Sequence, residues 1–211
     1  MANISTYLLA IIAIAFVFQL MSPDVTAAFI FIPIMALSEP WRFVTSMFLH
    51  STAGYAHIFF NAYALFLFGS ILERKIREKD YLIIFFGAGL LGGILYYLMA
   101  LTPFAPLCSA PGGGVWPCPA LGASGAIYGL LGAVAVLIPD LRIFVLFFPM
   151  KMRHAAILWF LIAFFGTLFS AGSGTAHAGH LGGLIFGLIY GWYLKKKSQQ
   201  TQWWEQSQEY F

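Results

Sequence analysis

Six apolar runs divide the chain, at about residues 4–21, 55–72, 81–101, 121–138, 154–170 and 176–194. Each is close to the roughly 20 residues with which a helix crosses the hydrocarbon core of a bilayer. Polar or Gly/Pro-rich connections separate them, and a polar tail occupies 195–211. The pattern predicts an all-α membrane protein, a polytopic six-transmembrane-helix bundle forming one domain over 1–211. Only three residues precede the first run, with no basic leader and no clear small-residue cleavage site, so it reads as a retained span. The connection at about 22–54 is too apolar for a free loop: Phe29, Phe31, Ile34 and Trp41 suit an interfacial segment packed against the bundle.

Composition strengthens this picture. The chain is 61% hydrophobic and only 9% charged, with a mean hydropathy of +0.84; a soluble domain carries roughly a quarter charged residues. An ordinary soluble enzyme is excluded. A net charge of +3 would suggest nucleic acid in a soluble chain, but the basic residues here lie between apolar runs, where they set topology. Arg74, Lys75, Arg77, Lys79, Arg142, Lys151, Arg153 and Lys195 to Lys197 share one face, and Arg42 falls on the other. Basic loops stay cytoplasmic. Both termini are therefore expected inside, in a multi-pass protein of the plasma membrane. Cys108 and Cys118 fall in an uncharged outer connection, where either a disulfide or two free thiols would suit.

Candidate chemistry lies in polar residues buried within apolar runs, which are costly and tend to be functional. His57 and Asn61 are four apart in the second run, Ser124 and Tyr128 four apart in the fourth, His177 and His180 three apart in the sixth. Each pair shares a helix face. All three runs cross in the same sense, and each polar group lies near its outer end, so the groups meet at similar depth in a cavity opening outward. Gly122 and Gly125 flank Ser124, and Gly179, Gly183, Gly187 and Gly191 repeat every four residues, a pattern that lets two helices pack backbone to backbone. Ser124 then meets a histidine able to take its proton. None of the three aspartates falls in these runs, so the arrangement is a dyad. The Ser124 amide, Asn61 and His57 are candidate oxyanion donors, and Tyr128 a platform for the base.

Four motifs resemble those of the rhomboid family of intramembrane serine proteases: GASG at 122–125 followed by Tyr128, HIFFN at 57–61, HLGGLIFG at 180–187, and the Trp41–Arg42 pair. The resemblance implies that Ser124 is the nucleophile and His180 its general base, with His57, Asn61 and the Ser124 amide forming the oxyanion hole. It makes Tyr128 a stacking partner of His180, Trp41 and Arg42 anchors of the first outer connection, and Gly183 and Gly187 packing positions. It implies no cofactor or metal. The partners it implies are transmembrane protein substrates and the surrounding lipid, the substrate entering laterally near the second and fifth helices. That places Phe60, Trp159 and Phe160 at the gate. By position alone His177 rivals His180, which is preferred because it begins the HxxGxxxG motif; His50 sits seven residues before His57 with no assigned role.

Three other readings compete. A pseudoprotease would lack the serine or histidine, and both are present. A metal site built from His50, His57, His177 and His180 lacks an accompanying carboxylate and the HExxH pattern of zinc proteases. A transporter would be expected to carry an internal repeat, and no convincing repeat relates the halves.

Overall fold

The computed structural model describes residues 3–109, 112–145, 148–169 and 175–208, with side chains through 200. Its helices are α1 (Ile4–Met21), α2 (Pro23–Phe29), α3 (Arg42–Thr45), α4 (Ala56–Glu73), α5 (Glu78–Ala100), α6 (Ser124–Leu137), α7 (Met152–Phe169) and α8 (His177–Gln208). Helices α1, α4, α5 and α7 are long and apolar enough to cross a membrane. Helix α6 has 14 residues. At 1.5 Å per residue it extends about 21 Å, less than the roughly 30 Å hydrocarbon core. Helix α8 passes beyond the sixth apolar run and carries the start of the polar tail as helix to Gln208. The chain is an integral membrane protein built as a helical bundle, and large apolar side chains such as Ile11, Phe18, Phe66, Ile157 and Phe165 face outward.

The core is closed by small residues. Gly183 packs on the carbonyl of Gly125 and Gly187 on that of Gly129, so a Cβ at either position would overlap the backbone of α6. Nothing larger than glycine brings α8 so close to its neighbour. Elsewhere the interior is ordinary apolar packing, with Leu65, Leu72, Tyr81, Ile84, Phe85, Leu130 and Leu184 fully buried. The start of α1 is held by α4, whose Glu73 carboxylate accepts the Ser5 N–H at 2.6 Å. A carboxylate there satisfies an orphan donor and the positive end of the helix dipole.

Two short antiparallel hairpins interrupt the helices, β1 (Leu107–Ser109) with β2 (Val115–Pro117) and β3 (Arg142–Val145) with β4 (Phe148–Lys151). The hydrophobic pattern predicts no strands, because three or four residues leave no alternation long enough to recognise. Gly112, Gly113 and Gly114 all adopt positive φ in the β1–β2 turn. Cys108 and Cys118 form a disulfide across this hairpin, which decides between the two states that suited the sequence.

The segment between α1 and α4 packs against the bundle. Phe31 is buried and pairs with Ala120 through two backbone hydrogen bonds, of 3.0 and 2.8 Å. Arg42 is 5% exposed; its guanidinium donates to the carbonyls of Ala27 (2.9 Å) and Ile30 (2.7 Å) and pairs with Glu39. Trp41 stands half-exposed at the surface.

Candidate active site

Helix α6 begins at Ser124, so the serine's backbone N–H belongs to the first turn and has no intrahelical acceptor. The chain enters that turn through Gly122, whose φ of +124° is foreign to residues with a side chain. Space forbids one as well: a Cβ on Gly122 would sit 3.0 Å from both Cε1 and Nε2 of His57. The Gly122 N–H is tied to the Ser46 carbonyl at 2.9 Å, and the Tyr96 hydroxyl donates to the Cys118 carbonyl at 3.0 Å. With the Phe31–Ala120 pairing, these bonds pin the approach to Ser124 at three successive alternate residues.

His180 lies in the first turn of α8, and its Nε2 is 2.7 Å from the Ser124 Oγ. The imidazole stacks on Tyr128, with ring centroids 4.4 Å apart and planes inclined by 6°. Tyr128 is one turn below Ser124 on α6, so the helix that carries the hydroxyl also carries the surface that orients its partner. His177 turns elsewhere: its ring packs on Gly166 of α7, and its edge meets His180 at 6.2 Å between centroids.

His57 is in the first turn of α4, facing Gly122. Its Nδ1 accepts the Ser51 N–H at 3.3 Å, which in a neutral imidazole leaves the proton on Nε2. The Asn61 amide NH₂ donates to the His57 carbonyl at 2.9 Å, so that amide is engaged along its own helix. Ser51, His57, Asn61, Ser124 and His180 line one cavity of about 500 Å³, whose wall also includes Tyr96, Cys108 and Cys118. Among the described residues no carboxylate lines it. Among the described residues no group of three or more His, Cys, Asp or Glu side chains is placed to hold a metal.

Gln19 is a site residue that no motif in the sequence points to. From α1 its side-chain amide grips the backbone of His50 at both ends, accepting the N–H at 2.9 Å and donating to the carbonyl at 3.0 Å. A third bond of 2.9 Å runs to Thr26 Oγ1. The available signal was an amide in an otherwise apolar run. His50 itself is fully buried, 5.2 Å from the His57 ring between centroids. Burial, reinforced by neighbouring His57, pushes its imidazole down to about 4. Gln19, His50, Ser51 and His57 thus form a continuous chain from α1 to the cavity. Of the residues expected at a gate, Phe60 is exposed beside Phe59, Trp159 meets Phe68 of α4 edge-on at 6.2 Å, and Phe160 stacks on Phe164 at 5.9 Å.

Comparison with known proteins gives the arrangement a context. YdcA of Bacillus subtilis is 27% identical over 169 residues, covering 79% of this chain and 73% of that protein. The rhomboid protease GluP of the same organism is 32% identical over 157 residues, 74% of this chain but 26% of that protein. The mitochondrial rhomboid protein 1 of Saccharomyces cerevisiae is 28% identical over 155 residues, 69% of this chain and 40% of that protein. The rhomboid domain model matches residues 37–197, a span that holds α3 to α7, Ser124, His180 and every residue lining the cavity, and by that match the chain belongs to the rhomboid family of intramembrane proteases.

Proposed function

We propose that this chain is a serine endopeptidase that cuts other membrane proteins within their transmembrane segments, using a Ser124–His180 dyad. The observation that carries the reading is the 2.7 Å approach of His180 Nε2 to Ser124 Oγ across two helices. Neutral His180 takes the hydroxyl proton as Oγ attacks the scissile carbonyl carbon. The carbonyl π electrons move to oxygen, giving a tetrahedral oxyanion. The His57 Nε2–H and the Ser124 N–H face the region where that charge develops, at the positive end of the α6 dipole. Asn61 joins them by exchanging the His57 carbonyl for the oxyanion. Protonated His180 then gives its proton to the leaving amine as the C–N bond breaks. A water activated by the same imidazole hydrolyses the Ser124 ester and restores the dyad. Tyr128 holds the imidazole plane that an aspartate would otherwise orient.

In this reading the chain crosses the membrane six times with both termini in the cytoplasm, supported by the excess of basic residues at one end of the bundle. The cavity then opens to the outer face of a plasma membrane. Substrates enter sideways from the lipid between α4 and α7, past Phe60 and Phe160.

The test is labelling with a fluorophosphonate probe and mapping the adduct by peptide mass spectrometry. The expected outcome is an adduct on Ser124, lost in Ser124→Ala and in His180→Ala together with cleavage of a model transmembrane substrate. Cleavage by Ser124→Ala at the parental rate would overturn the assignment. Activity should fall towards acid pH, because a protonated His180 cannot accept the hydroxyl proton. A rate that rises as the solution is made acidic, with chemistry limiting, would require another base.

A further inference from the structure

The end of the bundle away from the dyad holds a second cavity, a cleft of about 730 Å³. Leu137 on its wall is the last residue of α6, whose first is Ser124. The two sites therefore lie roughly 20 Å apart along the helix. Arg74, Lys75 and Arg77, from the connection between α4 and α5, line one side; Lys195 and Lys197, on α8, line the other. Against these five cations the described residues of the lining contain a single carboxylate, Asp80. That carboxylate is already engaged, accepting from Arg77 Nε at 2.8 Å and from the Tyr190 hydroxyl at 3.0 Å. With Arg77 paired to Asp80, the cleft stays positive through Arg74, Lys75 and Lys195, all three exposed to solvent.

Topology alone does not require this shape. Basic residues fix orientation wherever they sit on the cytoplasmic face, and Arg142, Lys151 and Arg153 serve there without lining the cleft. In the cleft, two segments separated by more than a hundred residues bring their cations around one concave space. Ile76, Leu137 and Leu194 add an apolar stretch to its wall, beside the polar Ser198 and Gln199. Beside it α8 exposes Ile189 (63%), Trp192 (59%) and Tyr193 (48%), a surface suited to acyl chains and the headgroup boundary. A free inorganic anion would use only the cations. A phospholipid would use both surfaces.

We infer that this cleft is a binding site for an anionic phospholipid, with the headgroup phosphate among Arg74, Lys75 and Lys195 and the acyl chains along the exposed face of α8. This site stands apart from the dyad, and its test does not depend on proteolysis. The full chain is purified into phosphatidylcholine nanodiscs doped with phosphatidylglycerol, and retained lipids are counted by native mass spectrometry. The parent is expected to retain phosphatidylglycerol in preference to phosphatidylcholine at equal mole fraction; no preference would overturn the inference without any variant. Each basic residue near an anionic headgroup contributes about fivefold in affinity. Arg74→Gln, Lys75→Gln and Lys195→Gln together should therefore weaken retention by about a hundredfold. Arg74→Lys, Lys75→Arg and Lys195→Arg together should keep it, which separates lost charge from lost folding. Arg142→Gln, Lys151→Gln and Arg153→Gln together remove as many charges outside the cleft and should leave retention unchanged. An equal loss in that control would overturn the site in favour of diffuse surface attraction. Displacement of the lipid by inorganic phosphate at equal concentration would also overturn it, reassigning the cleft to a free anion.

Discussion

Gln19→Leu removes the clamp between α1 and the segment that leads to His57, while nearly preserving side-chain volume. Three hydrogen bonds of 2.9, 3.0 and 2.9 Å disappear. Thr26 lies near the surface and can find water, but the N–H and carbonyl of fully buried His50 are left without their partner. Stranding a buried polar group costs about 1–3 kcal/mol in proteins. Hydrogen bonds between membrane helices average about 0.6 kcal/mol, because the membrane-bound reference state also finds partners. Two groups therefore bracket a loss of about 1–6 kcal/mol. For a chain of this size each kcal/mol moves Tm by about 2–4 °C. The functional effect is separate from the thermal one. His50 is followed by Ser51, whose N–H holds Nδ1 of His57, so a loosened backbone releases the His57 tautomer. Loss of one oxyanion donor costs roughly 10²–10³ in turnover, and partial misalignment a fraction of that. The assay is cleavage of a model transmembrane substrate in detergent, with kcat and KM separated, beside thermal unfolding. We expect kcat to fall at least about tenfold with KM little changed, at temperatures where the variant is folded. Parental Tm and parental kcat together would refute the clamp. A lower Tm with unchanged kcat would refute its link to His57.

Tyr128→Phe should retain turnover because stacking on His180 needs only the ring, whereas Tyr128→Ala should lose kcat by roughly two- to tenfold, the worth of one aromatic pair; equal effects from both variants would assign the role to the hydroxyl. Because burial lowers His50 from 6.5 to about 4, the unfolded chain binds its proton first, so the stability from neutral His50 is complete above pH 6.5 and is lost as pH falls towards 4. The loss amounts to about 3 kcal/mol. His50→Phe should flatten that part of the Tm profile, and an unchanged slope would count against the assignment. Reduction of Cys108–Cys118, which closes a ten-residue separation, should lower stability by about 2–3 kcal/mol. Cys108→Ser with Cys118→Ser should reproduce it, and because both residues line the cavity, cleavage of the transmembrane substrate should change more than labelling of Ser124 by a small probe.

A good part of this molecule is legible along the chain. A membrane leaves helices as the economical solution for long apolar runs, since each must satisfy its backbone internally; a helix lies over every one of the six. The spacing of Ser124 to Tyr128 and of His57 to Asn61 places each pair on one face because 3.6 residues make a turn. The glycine repeat in α8 reads as close packing for an equally local reason. By contrast, the hairpins at 107–117 and 142–151 are too short to carry a period. The role of Gln19 has no local signature, because its partner is 31 residues away and is a backbone. The Trp41–Arg42 pair splits in role: Arg42 is buried among carbonyls, while Trp41 faces out.

Local chemistry thus determined the helical membrane bundle, the polar residues inside it and the rhomboid resemblance, since periodicity, hydropathy and motif spacing all act within a few turns of chain. Which imidazole meets the hydroxyl was decided by three-dimensional packing. Two residues separated by 56 positions come within 2.7 Å because glycines on α8 press against carbonyls on α6. The state of Cys108 and Cys118, the setting of the His57 tautomer by Ser51 and the gathering of distant cations into one cleft belong to the same class. Each depends on distances between segments that no local preference can set.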